Sequence, residues 1–411
     1  MTHVEPVVQT KMPTKLENEL CVTYKQFPVR YDYKCPRFEV SDPDGYKHLE
    51  QYGYVVFKNV IPSKGEIDNI KLEIWDWLEQ LPFPNDIKID RNKPSTWYDG
   101  NWPTDPDTGI VFSFGIGQTE FMWKCRSFPK VRKAFGTIWN TNDLITSFDG
   151  CNLYRPWKYY AGWRTKGKWW HLDQNSRRKE SKGKQSIQGL LALTDGDETT
   201  GGLCVIPKSH LKHDEICERV HWPSHSDYIP IPKKDRMFDD FRDVGGYLVH
   251  YKAGDLVLWD GRTVHCNGPS VEPDLNPKTG KAWYSDKEKS DPNKHWSLMR
   301  MVVYICMGPR YKAKNEILKK RQEISFNMHV TSTHWPQYFR YRLGAGVVGH
   351  GKFKLNEIQK RLIGYPRGAF QEFIWQLKYE YDLGFGDFWV FSAFMGALGF
   401  AANVYWKNRK K

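Results

Sequence analysis

Three residues near the centre of the chain have the types and the order of a metal site. His171 and Asp173 lie in the segment 169–173, and on a strand both side chains would project from one face because side chains alternate. His265 follows the apolar run 256–259 and a short turn. Two imidazoles and one carboxylate on one side of a metal leave its remaining positions open, which is the ligand set of non-haem iron(II) sites.

Arg300 is a second candidate for chemistry because it stands inside the apolar run 298–307. A guanidinium in an apolar strand needs an acidic partner, and no carboxylate lies nearby in the sequence. A bound dicarboxylate or a buried ion pair with a distant acid would each provide one. Asn267, two residues past His265, is a candidate for lining the same pocket, as are Asn152 and Tyr154 on an earlier strand.

A mainly β scaffold is predicted to position these residues. Short apolar runs bounded by Gly, Pro and Asp recur between residues 112 and 307, at 187–193, 203–206, 256–259 and 299–307. Many short strands with turn signals are typical of a sandwich or a jelly roll. Ahead of them, residues 54–57 predict a strand, and Ser63 with Glu66 predicts the capped start of an amphipathic helix. The fold class is therefore mainly β with flanking helices (α+β).

The organisation of the chain predicts four parts. Residues 1–45 form a polar N-terminal arm, 46–312 the β domain, 313–387 a helical extension and 388–411 an apolar segment with a basic end. The apolar segment is near the minimum length for a bilayer span, so a membrane anchor and a helix packed on protein both remain open. Residues 269–295 form a polar insertion that is either functional or mobile.

Composition narrows the class of protein. The chain has 411 residues, 40% of them hydrophobic, with 18 Trp, so it can bury a large core and is not disordered throughout. The eight cysteines include no Cys-x-x-Cys pair, which argues against a zinc module. The N-terminus has no apolar stretch, so we expect no signal peptide and a cytoplasmic protein with reduced thiols.

The net charge of +13 indicates anionic partners or simply a basic surface. Residues 155–184 carry ten basic side chains against only Asp173 and Glu180. A basic rim around the metal site would favour an anionic substrate, and a solvated basic loop is the alternative. No nucleic-acid-binding module accompanies the charge, so a nucleic-acid partner has no other support.

The run Gly-Gly-Leu-Cys-Val-Ile-Pro-Lys-Ser-His at 201–210 resembles the G-x-L-x-V-x-P-G-S-H signature of the phytanoyl-CoA dioxygenase family. The signature stands between the His-x-Asp segment and the segment that ends at His265, which is the order found in that family. Residues 147–150 and 331–336 are also similar to segments of microbial members. The resemblance extends over roughly residues 46–340. Lys208 departs from the family pattern, which has Gly there.

The resemblance implies a double-stranded β-helix (jelly-roll or cupin-like) core. It also implies that His171, Asp173 and His265 hold iron(II). The implied cosubstrate is 2-oxoglutarate, whose distal carboxylate Arg300 would bind, and the implied oxidant is O2. The spacing from His265 to Arg300 is 35 residues, wider than usual because the insertion lies between them, so Arg310 is the fallback.

The implied activity is hydroxylation of a small-molecule or lipid-like substrate, with release of succinate and CO2. An anionic, acyl-CoA-like molecule is one such substrate. Retention of Asp173 favours hydroxylation over halogenation. A non-catalytic β-helix binding module and a hydroxylase that acts on nucleic acid or protein are the alternatives. The sequence defines neither the substrate nor the oligomeric state.

Overall fold

The computed structural model describes residues 27–83, 87–291, 293–343 and 353–366. The described residues up to Gly364 belong to one compact unit. Residues 1–26 of the predicted arm, the predicted extension beyond residue 366 and the whole apolar segment 388–411 lie outside the described residues. The four-part division of the chain stays a prediction. None of the helices within the described ranges combines the length and the apolar character that crossing a bilayer requires.

Short strands form most of the scaffold. The described residues contain β1 Val29–Arg30, β2 Arg37–Phe38, β3 Tyr54–Phe57, β4 Ile110–Val111, β5 Leu144–Thr146, β6 Cys151–Tyr154, β7 His171–Leu172, β8 Ile187–Ala192, β9 Gly202–Val205, β10 Ile229–Pro230, β11 Gly246–Leu248, β12 Leu256–Asp260, β13 His265–Gly268, β14 Arg300–Tyr304, β15 Met307–Pro309, β16 Thr331–Ser332 and β17 Tyr341–Arg342. The predicted strand at 299–307 is divided into β14 and β15.

Helices flank the strands. They are α1 Pro43–Tyr52, α2 Lys64–Glu79, α3 Glu120–Ser127, α4 Pro129–Trp139, α5 His213–Val220, α6 Met237–Asp240, α7 Asp286–Lys289, α8 Asn315–Ile324 and α9 Glu357–Ile363. α2 begins where its sequence predicts, because the Ser63 side chain accepts a hydrogen bond from the Glu66 backbone amide at 3.2 Å. Its apolar residues at helical spacing, from Ile67 to Trp77, are buried.

Two large sheets form the core. One has the strand order β1-β11-β9-β13-β7-β10 and the other β2-β3-β12-β8-β14-β6-β4. Pairing within both sheets is antiparallel except where β1 meets β11 and β2 meets β3. These two parallel strands come from residues 27–45, so this part of the arm adds edge strands to both sheets. The predicted mainly β fold with a double-stranded β-helix core is confirmed.

The two sheets face each other across a shared apolar core. Leu203 and Val205 of β9 pack in one cluster with Leu190 of β8 and Val257 of β12. The opposite face of the first sheet packs in a second cluster, under α5 and α6, that includes Trp170, Leu172 and Cys266. Because neighbours on a strand point to opposite faces, His171 and His265 are directed between the sheets.

The polar insertion packs against the segment that precedes β7. Lys158 Nζ lies 2.7 Å from a carboxylate oxygen of Glu272 and 4.0 Å from the centre of the Trp283 ring. Arg164 Nη1 donates to the Glu272 carbonyl at 2.8 Å. Ion pairing and cation–π contact therefore dock the insertion on residues 157–164.

Lys208 occupies a left-handed turn, with φ of 68° and ψ of −1°. This is the position where the family signature has glycine, and the backbone shows why glycine suits it. A residue with a Cβ atom is disfavoured in the left-handed region by roughly 1–2 kcal/mol. The turn keeps its geometry around Ser209, whose hydroxyl donates to the Ile206 carbonyl and accepts from the Val264 amide.

We expect Lys208→Gly to stabilise the protein by about 0.5–1 kcal/mol. Glycine removes the strain of the left-handed conformation from the folded state, which stabilises the protein. It also raises the chain entropy of the unfolded state, which destabilises the protein by a smaller amount. Chemical denaturation of the wild type and the variant measures the difference. Lys208→Ala is the matched control, since it shortens the side chain and keeps the strain. Equal stabilities for the Gly and Ala variants would contradict the prediction.

Candidate metal and cosubstrate site

His171, Asp173 and His265 converge between the sheets. His265 is the cross-strand partner of His171 in the β7–β13 pair, and Asp173 follows the end of β7. Asp173 Oδ2 lies 3.5 Å from His171 Nε2 and 3.2 Å from His265 Nε2. One donor atom from each residue lies within 4.8 Å of the others, which is a separation that one metal ion can bridge.

Both imidazoles are held in the orientation that metal binding requires. His171 Nδ1 lies 3.1 Å from the Trp169 carbonyl oxygen, and His265 Nδ1 lies 2.9 Å from the Thr263 carbonyl oxygen. An Nδ1–H that donates to a carbonyl leaves Nε2 with its lone pair free. Burial, the largest influence, lowers the pKa of His265, so the neutral, ligating form is favoured.

Asp173 is the anionic member of the triad. Burial works to raise the pKa of its carboxyl group, but His334, His171 and His265 in their protonated forms, when no metal is bound, outweigh burial and hold that pKa well below its usual range. Gln188 of β8 donates to Asp173 Oδ2 at 3.0 Å from the opposite sheet. A carboxylate and two neutral imidazoles are the donor set that suits iron(II).

Arg300 is completely buried in a polar cluster between the sheets. Its Nε donates to the Tyr251 hydroxyl at 2.8 Å, and its Nη1 donates to Asn152 Oδ1. The guanidinium carbon lies 5.1 Å from the centre of the Tyr154 ring. Tyr154 is the cross-strand partner of Arg300 in the β14–β6 pair. The structure therefore brings Arg300, Asn152 and Tyr154 together.

The Arg300 cluster contains a buried donor atom whose hydrogen bond is not made within the described residues. The Nη2 atom is buried and donates no hydrogen bond within the described part of the chain. The groups that act on the guanidinium electrostatically are the tyrosines Tyr251, Tyr154 and Tyr304 rather than a carboxylate. A buried cation without an anionic partner carries a large desolvation cost. A carboxylate-bearing ligand would satisfy Nη2, so the residues fit a dicarboxylate such as 2-oxoglutarate.

Asn267 connects the two halves of the site. It lies two residues beyond His265 on β13, about 7 Å along the strand and on the same face. Its side chain interacts with the Tyr304 hydroxyl, which also interacts with Arg300. A ligand with one end at the triad and the other at Arg300 would therefore pass Asn267.

The sequence reasoning missed four residues that complete the site. Gln188 contacts Asp173, Tyr251 contacts Arg300, His334 Nε2 lies 3.4 Å from the Asp173 carbonyl oxygen, and the Tyr228 ring centre lies 4.9 Å from that of His171. Gln188 carried a usable signal, because it is the one polar residue of the apolar run 187–193. The sequence around His334 favours packing over chemistry, and Tyr251 and Tyr228 have no signal comparable to that of Gln188.

Three residues in or near the sequence motifs lie outside the triad and the Arg300 cluster: His210, Trp170 and the fallback Arg310. His210 Nε2 lies 3.0 Å from the Glu50 carbonyl oxygen, in the turn that begins at Ser209. Trp170 is buried in the outer cluster, so its role is packing. Arg310 follows β15 and is half-buried, whereas Arg300 lies inside the polar cluster between the sheets.

Residues 161–271 match the model of the phytanoyl-CoA dioxygenase family. The matched segment contains the three residues of the triad and the signature at 201–210, so the resemblance to this family is confirmed. Two relatives are similar over much of their lengths. "Ava biosynthesis cluster protein O" of Aspergillus versicolor is 24% identical over 293 residues, covering 69% of this chain and 83% of the relative.

The second relative is a "Putative phytanoyl-CoA dioxygenase" of Dictyostelium discoideum. It is 25% identical over 267 residues, covering 57% of this chain and 72% of the relative. Among solved structures, EctD from S. alaskensis in its apoform aligns with a TM-score of 0.42 and 11% identity, covering 67% of this chain and 79% of that protein.

The buried carboxyl group of Asp149 predicts how the stability of the protein depends on pH. Burial raises the pKa of Asp149 to about 6, against the opposing influence of His334, Ser147 and Arg126. Between pH 4 and 6 the folded protein therefore retains a proton that the unfolded chain has released. The free energy of unfolding of the metal-free protein falls as pH rises through this window, by up to about 3 kcal/mol from this group.

Asp149→Asn should remove this component, because an amide does not titrate but still accepts the hydrogen bond that Ser147 donates to Asp149. Urea unfolding of both proteins at pH 4, 5, 6 and 7 in the presence of a chelator measures it. We expect the stability of the variant relative to the wild type to increase with pH. Parallel curves would show that Asp149 has an ordinary pKa.

Proposed function

We propose that this chain, a 2-oxoglutarate-dependent dioxygenase-like enzyme of the phytanoyl-CoA dioxygenase type, hydroxylates a small-molecule or lipid-like substrate. Iron(II) would be held by His171, Asp173 and His265, and 2-oxoglutarate by Arg300 with Asn152, Tyr154 and Asn267. When bound, iron(II) and 2-oxoglutarate supply the oxidising power for O2 activation, with release of succinate and CO2.

One observation carries the proposal: a buried guanidinium with one unsatisfied donor atom accompanies a complete His-Asp-His triad. Arg300 Nη2 is buried without a hydrogen-bond partner in the described residues, and the triad's donor atoms lie within 4.8 Å of one another. A binding module without catalysis would need neither the triad nor a cation whose burial is costly. The combination therefore favours the enzyme over the non-catalytic alternative.

The residues of this chain have separate tasks in the proposed reaction. The carbonyl groups of Trp169 and Thr263 fix the two imidazoles, and Gln188 fixes the carboxylate of Asp173. Tyr251 and Asn152 orient the guanidinium of Arg300 toward its acid ligand. Fixed ligands lower the reorganisation that the reaction requires.

The docked insertion 269–295 would cover the site during the reaction. It follows β13, which carries His265 and Asn267, and it packs on residues 157–164, which lead into β7. An insertion in this place would limit the access of water to the oxidant. The insertion also accounts for the long spacing between His265 and Arg300.

The setting that we propose is cytoplasmic. The seven cysteines within the described residues are free thiols and buried, which suits a reducing compartment. Membrane association through residues 388–411 is the alternative that the sequence raises, and it stays a prediction.

An anaerobic titration with iron(II) and 2-oxoglutarate tests the proposal. The wild type should develop the visible metal-to-ligand charge-transfer band of the iron–2-oxoglutarate complex. His171→Ala should lose the band because one ligand is missing. Arg300→Gln should need at least about 30-fold more 2-oxoglutarate, because truncating one partner of a buried ionic contact costs at least about 2 kcal/mol.

Arg310→Gln is the matched control, since it removes the same charge outside the cluster and should leave the titration unchanged. Circular dichroism confirms that each variant is folded. A folded wild type without the band would overturn the enzyme and favour the binding module. Equal 2-oxoglutarate requirements for the Arg300 and Arg310 variants would overturn the role of Arg300.

A further inference from the structure

An open cleft of about 600 Å³ has a basic wall, and Asp227 behind that wall interacts electrostatically with Asp173 of the triad. Four cationic side chains line it: Arg177, Arg178, Lys179 and Arg340. Glu180 also lines the cleft, and the buried carboxylate of Asp227 lies behind its wall. Four cations and two carboxylates leave a surplus of two positive charges around one concave surface.

Three chain segments line the cleft, and each leads away from a residue that belongs to or contacts the triad. Residues 177–180 follow Asp173, residues 224–225 precede Tyr228, whose ring lies against His171, and residues 338–340 follow His334, which lies against Asp173. The segments that line the cleft are therefore continuous in the chain with residues of the candidate metal site or its neighbours.

Buried contacts fix the cleft in shape. Asp227, whose side chain is 5% exposed, pairs with Arg178 at 3.0 Å and with Arg340. Arg178 also donates to the carbonyl groups of Ser224 and His225, at 3.2 and 2.6 Å. These bonds join the three segments and hold the guanidinium groups of Arg178 and Arg340 in fixed orientations. A preorganised cationic surface loses little entropy when an anion binds.

Most basic residues of the run 155–184 are paired with carboxylates in the structure. Six of its ten basic residues form ion pairs with carboxylates: Arg155, Lys158, Arg164, Lys166, Arg178 and Lys184. Arg177 and Lys179 form no ion pair with a carboxylate of the described residues, and both line the cleft. Two of the four basic residues of the run outside these six therefore line the cleft.

We propose that this cleft binds a phosphate group of the substrate while the triad acts on another part of the same molecule. A phosphate dianion matches the surplus of two positive charges and the fork geometry of arginine. This inference rests on the proposed function, because the cleft is a substrate subsite only if the triad performs the reaction. The substrate class is therefore a phosphorylated small molecule.

Calorimetric titration of the full chain with phenyl phosphate tests the subsite, with the protein loaded anaerobically with iron(II) and 2-oxoglutarate. We expect saturable binding that Lys179→Glu weakens about tenfold, since one charged hydrogen bond contributes at least about 1.5 kcal/mol. Lys179 is exposed, so its substitution leaves the fold intact. Lys234→Glu is the matched control, with the same charge change at an exposed site outside the cleft.

Phenyl phosphate and benzoate separate the two kinds of anion. Tighter binding of phenyl phosphate supports the phosphate assignment, and equal or tighter binding of benzoate overturns it. Absence of saturable binding, or equal affinities in Lys179→Glu and Lys234→Glu, overturns the subsite. The charge-transfer band of the wild type reports separately on the proposed function, so a normal band without phenyl phosphate binding refutes only the subsite.

Discussion

The antiparallel pairing of β7 with β13 is the contact on which the candidate site depends. It sets His265 directly opposite His171, so that both rings project from one face with their centres 4.2 Å apart. A shift of one residue would turn Cys266 inward and His265 outward. The outer core resists that shift, because Trp170, Leu172 and Cys266 are packed there under helices. Packing of one face thus fixes the chemistry of the other.

The second constraint is the burial of a cation between the sheets. Arg300 is held by a hydroxyl, an amide and an aromatic ring, and none of these groups neutralises its charge. Such a position is costly without a ligand and becomes favourable when an acid binds. The property that makes Arg300 costly for the fold is therefore the one that would make it selective for the anionic cosubstrate that we propose. Gly202, beside Arg300, has a φ of 149° that residues with a side chain rarely adopt, and a Cβ there would lie 3.3 Å from the Tyr251 hydroxyl oxygen.

Aromatic rings surround His171 of the triad. Trp169 stacks on His171 at 4.8 Å, and Tyr228 contacts the same ring. Aromatic neighbours exclude water from the ligands while leaving their donor atoms accessible.

Local patterns in the sequence are enough to predict several residues of the candidate site. His171, Asp173 and Arg300 could be identified because each departs from the apolar alternation of its strand, and the signature at 201–210 added the family. The tertiary structure decided which distant residues meet them. Gln188, Tyr251 and His334 reach the site through strand order and side-chain direction, which periodicity does not specify. The sequence also left open which residues of the basic run 155–184 are neutralised by acids. Their acidic partners lie as far as 134 residues away, as in the pair of Lys184 with Glu50.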